Sequence, residues 1–260
     1  MSAISYNLDG RTAVVTIERP QVRNAVDAQT ALDLAAAFER FCADDAADVA
    51  ILSGAGNTFC AGYDLRFLAQ GGPREISPEG YAPMGPSRMV LPKPAIAAVE
   101  GYAVAGGLEL ALWCDLRVAA SDAIFGVFSR RFGVPLVDLG TIRLPRIVGH
   151  GRALDLILTG RPVDAEEALA MGLVSRVTPP GGALAGALEL ARIIGSFPQA
   201  GLRNDRLSVI EQWDLPYSEA IRNELRYGVA TIASGETAGG AERFAGGAGR
   251  HGGGAGSTPS

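Results

Sequence analysis

Short apolar runs and longer amphipathic stretches divide this chain into predicted strands and helices. The apolar runs are rich in β-branched residues or alanine and are bounded by turn residues, which is typical of buried strands. The amphipathic stretches repeat apolar side chains every three or four residues, as helices do. We predict strands over 12–18, 48–54, 93–101, 116–120, 124–126 and 174–178, and helices over 28–44, 108–114, 149–158, 164–171, 183–196 and 201–234.

Cap residues mark the ends of some of these helices. Asp27 precedes the helix over 28–44 and is a favourable N-cap residue; Asp164 stands at the same point of a later helix, which Gly172 closes. Several glycines and prolines between residues 69 and 88 indicate a mobile loop. Residues 248–260 are too rich in glycine to pack well, so we expect a disordered tail there.

Composition narrows the class of protein. With 260 residues the chain can bury a large core, and its net charge of −5 gives no basic surface for nucleic acid. No apolar run is long enough to predict a transmembrane helix, and the N-terminal residues lack the apolar segment of a secretory signal. Cys42, Cys60 and Cys114 are odd in number and widely spaced, which favours a reduced cytoplasmic protein. We therefore expect neither nucleic acid nor membrane among its partners.

Several common catalytic motifs are missing. The segment GAGNTF (54–59) begins like a dinucleotide-binding fingerprint, but Phe59 stands where the third glycine belongs. The sequence has no G-x-S-x-G nucleophile elbow and no P-loop. His150 and His251 are the only histidines, which disfavours a zinc site or a histidine-based triad.

One carboxylate interrupts an apolar stretch, EGYAVAGGLELALWCD, at residues 100–115. Burying Glu109 is costly unless its charge is hydrogen-bonded or neutralised. Gly106 and Gly107 precede it at the start of a predicted helix, where unpaired N–H groups and the helix dipole favour an oxyanion. From this segment alone, Glu109 is either a functional acid beside an anion site or simply an acid in the first turn of a helix.

Two segments, FCAGYDLRFL (59–68) and KPAIAAVEGYAVAGGLELALWCD (93–115), carry paired A-G-x-D and A-G-G-x-E motifs. Together with ILTGRPVDAEEALAMGLVSRV (157–177) and ERFAGGAGR (242–250), they make nearly the whole chain resemble the enoyl-CoA hydratase/isomerase, or crotonase, family. The resemblance implies an α/β fold, a crotonase-like spiral of ββα repeats with a C-terminal helical trimerisation region.

The resemblance also implies a domain organisation, an assembly and a ligand. The spiral core takes residues 1–197, and a helical oligomerisation region takes residues 198–247, before the glycine-rich tail. Members form homotrimers, often paired into hexamers. Their ligand is an acyl-CoA thioester, and we expect no cofactor beyond the coenzyme A of the substrate.

Carried over position by position, the resemblance assigns the chemistry to a few residues. The N–H groups of Tyr63 and Gly106 form an oxyanion hole for the thioester oxygen, and Glu109 is the catalytic acid or base. Hydratases of the family use a second glutamate, which Ser129 replaces here; its hydroxyl can position water but has no useful pKa near neutrality. Asp138, in the loop over 132–146, is either a further catalytic acid or an ordinary loop or helix-capping acid.

Other residues are assigned to substrate binding. Arg23 lies in a loop that runs beside the coenzyme in the family and is either a phosphate contact or a plain surface arginine. The Tyr63 phenol either shapes the acyl pocket or packs beside the turn at Asp64. The resemblance implies contacts with the substrate or coenzyme A at Arg23, Ala25, Ala61, Gly62, Asp64, Leu65 and Gly107.

Three functions stay open on the sequence. The first is a hydratase that adds water to, or removes it from, an acyl-CoA, with Glu109 helped by Asp138 or by a water that Ser129 positions. The second is an isomerase that shifts the double bond, for which one carboxylate suffices because it can remove and return the same proton. The third is a non-catalytic acyl-CoA-binding protein, against which an intact Glu109 argues.

Overall fold

The computed structural model describes residues 3–72 and 76–247. They form two compact units. The first comprises the residues up to Leu91 together with Ala95–Ala191, and the second comprises Pro92–Pro94 together with the chain from Arg192. Every predicted site residue lies in the first unit.

Strands of the first unit form two sheets. In the described part of the chain the strands are β1 (Ile4–Asp9), β2 (Thr12–Ile17), β3 (Val49–Gly54), β4 (Ala95–Val99), β5 (Tyr102–Val104), β6 (Leu116–Ala120), β7 (Ile124–Gly126), β8 (Val163–Asp164) and β9 (Arg176–Thr178). The larger sheet has the order β1-β2-β3-β4-β6-β9, with an antiparallel first pair and parallel pairs elsewhere. The smaller sheet has the order β5-β7-β8.

Helices connect and cover these strands. Those that begin in the first unit are α1 (Ala28–Ala43), α2 (Leu65–Ala69), α3 (Gly106–Trp113), α4 (Gly140–Val148), α5 (His150–Thr159), α6 (Ala165–Ala170) and α7 (Ala183–Gly195). Both predicted N-caps are confirmed, because the Asp27 and Asp164 carboxylates accept hydrogen bonds from the N–H groups of Thr30 and Glu167 at 2.9 and 2.8 Å. Gly172 follows α6 with the positive φ of 78° that a glycine tolerates.

From β4 to β7, consecutive strands alternate between the two sheets, as in ββα turns. β4 pairs with β6 in the larger sheet, and Ile96 stands opposite Leu116. β5 pairs with β7 in the smaller sheet, and Tyr102 stands opposite Ile124. Because only Ala105 separates β5 from α3, the start of this helix is anchored to the smaller sheet.

Aromatic packing fixes α3 in the core. All eight of its residues are buried, so its sides carry no solvent-facing stripe. The Phe38 ring of α1 meets the Trp113 ring at the end of α3 edge to face, with centroids 4.6 Å apart. The first turn of α3, which carries Glu109, therefore sits on a rigid element.

Two expectations about the first unit are wrong. The predicted loop over 132–146 contains the start of α4. The residue before this helix, Leu139, has a left-handed conformation and provides no side-chain cap that could mark the start in the sequence. The predicted mobile loop over 69–88 is packed in its second half, because Ala82–Ser87 are buried. β1 was not predicted at all, since its side chains are half-buried or exposed and include polar residues.

The second unit is helical. Its helices within the described residues are α8 (Gln199–Glu211), α9 (Tyr217–Ala233) and α10 (Glu236–Ala245). The predicted continuous helix over 201–234 is wrong, because Leu215 takes an extended conformation before Pro216, as residues before proline prefer. The predicted tail, 248–260, lies outside the described residues. None of the helices in the described ranges combines the length and apolarity that a membrane span requires.

Candidate active site

A cavity of about 160 Å³ opens beside the start of α3. One wall comes from the segment 61–65, another from residues 104–109 and a third from residues 128–138. Most of its lining is apolar, and its residues with polar side chains are Tyr63, Glu109, Ser129 and Asp138. An apolar cavity with a few convergent polar groups is the usual form of a small-molecule site.

Backbone N–H groups hold the Glu109 carboxylate. Glu109 is only 2% exposed, and its Oε1 accepts hydrogen bonds from the N–H groups of Asp138 and Gly140 at 2.9 and 2.8 Å. A Cβ added at Gly140 would lie 2.8 Å from Oε1, so a glycine is needed for this approach. An ordinary first-turn acid faces solvent, whereas this carboxylate is buried against a distant turn and borders the cavity.

Asp138 holds the neighbouring segment in the same way. Its Oδ1 accepts hydrogen bonds from the Met84 N–H at 2.9 Å and from the Ser87 hydroxyl at 2.7 Å. Asp138 precedes the N-cap residue of α4 and does not cap that helix. The side chain therefore ties the 84–87 segment to the turn that holds Glu109, and it also borders the cavity.

A half-buried arginine, Arg143, contacts the segments on both sides of Asp138. The Arg143 guanidinium donates to the Ser87 carbonyl at 2.7 Å and to the Asp138 carbonyl at 3.3 Å. Burial lowers the pKa of Arg143 to about 10, against the opposing effect of negative groups that include Glu109 and Asp138. The side chain stays cationic near neutrality and offsets their negative charge.

Ser129 contributes an unsatisfied hydroxyl. It lies in a 3-10 helix, Phe128–Phe132, and is 5% exposed. Within the described part of the chain, its Oγ has no hydrogen-bond partner. A buried polar group in that state carries a desolvation cost of about 1–3 kcal/mol. Because Ser129 borders the same cavity as Glu109, a ligand or water bound there can supply the missing partner.

Backbone strain marks the start of α3. Ala105 has φ 53° and ψ −124°, a conformation that residues with a side chain rarely adopt. Gly106 follows it as the first residue of the helix, and its N–H meets no acceptor among the described residues. Gly106 borders the cavity, and the N-terminus of a helix attracts negative charge.

The Tyr63 segment packs directly against this N–H group. The Val26 N–H donates to the Gly62 carbonyl at 2.9 Å, and the Asp64 N–H donates to the Val26 carbonyl at 2.8 Å. In such a parallel bridge the peptide groups of Tyr63 itself point to the other side. A Cβ added at Gly62, whose φ is 95°, would lie 2.8 Å from the Gly106 N. The two proposed oxyanion donors therefore border one cavity from adjoining segments.

Of the other predicted binding residues, two border the cavity and four do not. Ala61 and Leu65 border the cavity. Asp64 is occupied in the fold, because it caps α2 and pairs with Arg19 at 3.2 Å. Arg23 has an exposed side chain, and its carbonyl accepts from the Ala61 N–H at 3.0 Å. The remaining two lie nearby: Ala25 is buried with its carbonyl bonded to Arg19, and Gly107 packs against the Cys60 backbone.

Several residues of the site escaped the sequence analysis. Gly140 and Arg143 belong to α4, which lies within the predicted loop over 132–146, and Met84 belongs to the predicted mobile loop over 69–88. The aromatic side chains of Phe128 and Phe132 also border the cavity. A buried aspartate in an apolar loop was the one available signal for this region. Histidine, cysteine and carboxylate side chains nowhere gather in threes, within the described residues, as a metal site would require.

Comparisons with known proteins agree on one family. The family model for enoyl-CoA hydratase/isomerase matches residues 9–246. Enoyl-CoA hydratase EchA19 of Mycobacterium tuberculosis is 36% identical over 242 residues, 90% of this chain and 90% of that protein. Carnitinyl-CoA dehydratase of Salmonella arizonae is 40% identical over 196 residues, 74% of either chain. The crystal structure of an enoyl-CoA hydratase from Mycobacterium tuberculosis matches with a TM-score of 0.89 and 35% identity, over 94% of this chain and 96% of that chain. The α/β fold class implied by the resemblance, a crotonase-like fold with helices at its C-terminal end, is confirmed.

Proposed function

The chain belongs to the enoyl-CoA hydratase/isomerase family, and we propose that it is a hydratase that adds water across the 2,3 double bond of an acyl-CoA thioester. The observation that carries this proposal is a shared cavity. The buried Glu109 carboxylate, the unpartnered Ser129 hydroxyl and the unpaired Gly106 N–H all border it.

Charge on the thioester oxygen is the first requirement of the reaction. As water adds to C3, the electrons of the double bond move towards the thioester and form an enolate. The N–H groups of Tyr63 and Gly106 donate to that oxygen. A donor of this kind contributes about 3–4 kcal/mol to transition-state stabilisation. Small residues around these peptides let the thioester approach the backbone closely.

Proton transfer is the second requirement, and Glu109 performs it. Its carboxylate takes a proton from the attacking water as the C3–O bond forms, and it returns a proton to C2 as the enolate collapses. Ser129 orients the water by accepting or donating one hydrogen bond. Asp138 supports the site from its contacts with Met84 and Ser87, which occupy its Oδ1. No step requires a cofactor.

A double-bond isomerase is the second candidate. Ser129 stands where hydratases of the family use a glutamate, and isomerisation needs only the one carboxylate that Glu109 supplies. The same proton leaves one carbon and arrives at another, and no water has to be oriented. The two functions therefore differ in what they require of Ser129.

Self-association is part of the proposal. Along α9, the side chains of Tyr217, Ile221, Leu225, Val229 and Ile232 are all exposed and recur every three or four residues. An apolar stripe of this kind marks an interaction surface. We assign residues 198–247 to a homotrimer, alone or paired as a hexamer. A cytoplasmic location and a phosphate contact by Arg23 complete the proposal.

Product analysis tests the function. Wild-type protein is incubated with 2-enoyl-CoA and 3-enoyl-CoA substrates, and the products are identified by proton NMR. We expect a 3-hydroxyacyl-CoA product. Glu109→Gln lowers kcat by about 100-fold or more, the scale of one lost acid or base, while butanoyl-CoA still binds. Ser129→Ala lowers hydration and leaves any double-bond migration unchanged.

Other outcomes would replace the proposal. A migrated double bond without hydroxyacyl product would make the protein an isomerase. Binding of both substrates without turnover would make it a non-catalytic acyl-CoA-binding protein. A Glu109→Gln variant that keeps half of the wild-type kcat would remove Glu109 from the mechanism.

A further inference from the structure

Two cavities of the first unit border the same residue, Tyr63. One is the active-site cavity of about 160 Å³. The other, of about 250 Å³, lies between the first residues of α1 and the segment 77–83, and we name it the α1 cavity. Tyr63 is only 8% exposed, so its side chain is enclosed by its neighbours.

The α1 cavity has an apolar wall and a polar rim. Ala28, Ala31 and Leu32 of α1 line it on one side, and Ala82 and Pro83 line it on another. Its lining is therefore suited to methylene groups.

Polar groups at its rim bind each other or neighbouring residues. The Tyr81 hydroxyl donates to the Glu39 carboxylate, and the Glu79 N–H donates to the Ser77 hydroxyl at 3.1 Å. Because these partners are already present, the rim does not demand a polar ligand. An alkyl chain, whose burial releases about 0.8 kcal/mol for each methylene, is the ligand class that fits.

We propose that the Tyr63 side chain is the wall between the two cavities and limits the length of the acyl group. This inference rests on the proposed function. A cavity of about 150 Å³ holds one benzene molecule, so the active-site cavity accommodates about six carbons. A longer acyl chain has to pass Tyr63 to reach the α1 cavity. The enzyme accordingly takes short or compact 2-enoyl groups, and Tyr63 is a specificity-determining residue through its side chain as well as an oxyanion donor through its backbone.

Binding of saturated acyl-CoA thioesters tests the wall without depending on turnover. Dissociation constants are measured by calorimetry for butanoyl- to dodecanoyl-CoA. For the wild type, we expect affinity to rise by about fourfold per methylene up to six carbons and then to stop rising. In Tyr63→Ala, the rise continues to about ten carbons, which improves the preference for decanoyl- over hexanoyl-CoA by at least tenfold. Tyr63→Leu, which keeps more of the packing, shifts the limit in the same direction.

Two further variants distinguish a specific effect of the Tyr63 side chain from a general loosening of the packing. Leu65 borders the active-site cavity but not the α1 cavity, so Leu65→Ala enlarges the first without opening the second and shifts the limit by less than Tyr63→Ala does. Leu32 is 52% exposed and borders only the α1 cavity. Adding Leu32→Trp to Tyr63→Ala refills that space and restores the limit.

Each outcome is decisive. A wild-type affinity that keeps rising beyond about eight carbons would overturn the inference. So would a Tyr63→Ala or Tyr63→Leu profile that matches the wild type, or a Leu65→Ala profile that shifts as far as theirs. Turnover of but-2-enoyl-CoA is measured in parallel. A wild-type protein that shows the length limit but no turnover contradicts the proposed function and still supports the role of Tyr63 as the wall between the two cavities.

Discussion

We expect Gly140→Ala to displace the Glu109 carboxylate without removing it. The new Cβ would lie 2.8 Å from Oε1 and 2.9 Å from the Glu109 Cγ. Non-bonded atoms settle at about 3.5 Å or more, so the carboxylate has to move by roughly 0.7 Å. A displacement of about 1 Å can lower a rate 100-fold, and we therefore expect kcat to fall by about 10- to 100-fold. Overpacking should destabilise the protein by about 1–3 kcal/mol.

Gly151→Ala is the matched control for this change. Gly151 lies in α5, and a Cβ there meets no atom within 4 Å. This variant should keep its kcat and gain up to about 1 kcal/mol of stability from helix propensity. The assay is kcat for hydration of but-2-enoyl-CoA, with urea unfolding of each variant. Equal kcat values for the two alanine variants would show that Gly140 does not set the position of Glu109.

Two further predictions concern strain and assembly. Ala105→Gly relieves the positive φ before α3 and should stabilise the protein by about 1 kcal/mol; a lower urea midpoint than wild type at an unchanged m value would contradict the strain argument. Leu225→Glu places a charge in the apolar stripe of α9 and should convert the proposed trimer to monomers in sedimentation. Ala230 lies about 140° from Leu225 around the same helix, so Ala230→Glu should leave the assembly intact. A trimeric Leu225→Glu protein would refute the assignment of the apolar stripe to the subunit interface.

Local sequence could predict much of the fold and part of the site. Gly106 and Gly107 before a run of apolar residues predicted a helix from residue 108 with Glu109 in its first turn, and α3 in fact begins at Gly106. Acidic N-caps predicted the starts of α1 and α6. These features depend on neighbouring residues, so their signals lie close together in the chain.

Long-range contacts made by the backbone left no such signal. Glu109 is held by the N–H groups of Asp138 and Gly140, which any residue type but proline can provide. Gly140 is the one residue whose type reflects this contact. The need for a glycine becomes clear only from the structure, where the Glu109 carboxylate lies against it. Pro216 was a sequence signal for the break before α9. The apolar periodicity on both sides of it nevertheless predicted one continuous helix.

The way in which Glu109 is held has a consequence for stereochemistry. Two N–H groups donate to Oε1, and an oxygen that accepts both is a poor place for a proton. In the proposed reaction the proton is therefore carried by Oε2. A planar enoyl group held by its thioester oxygen presents one face to that atom, and the same carboxylate takes the proton from the attacking water and delivers a proton to C2. Addition then occurs on a single face of the double bond and gives one enantiomer of the 3-hydroxyacyl product.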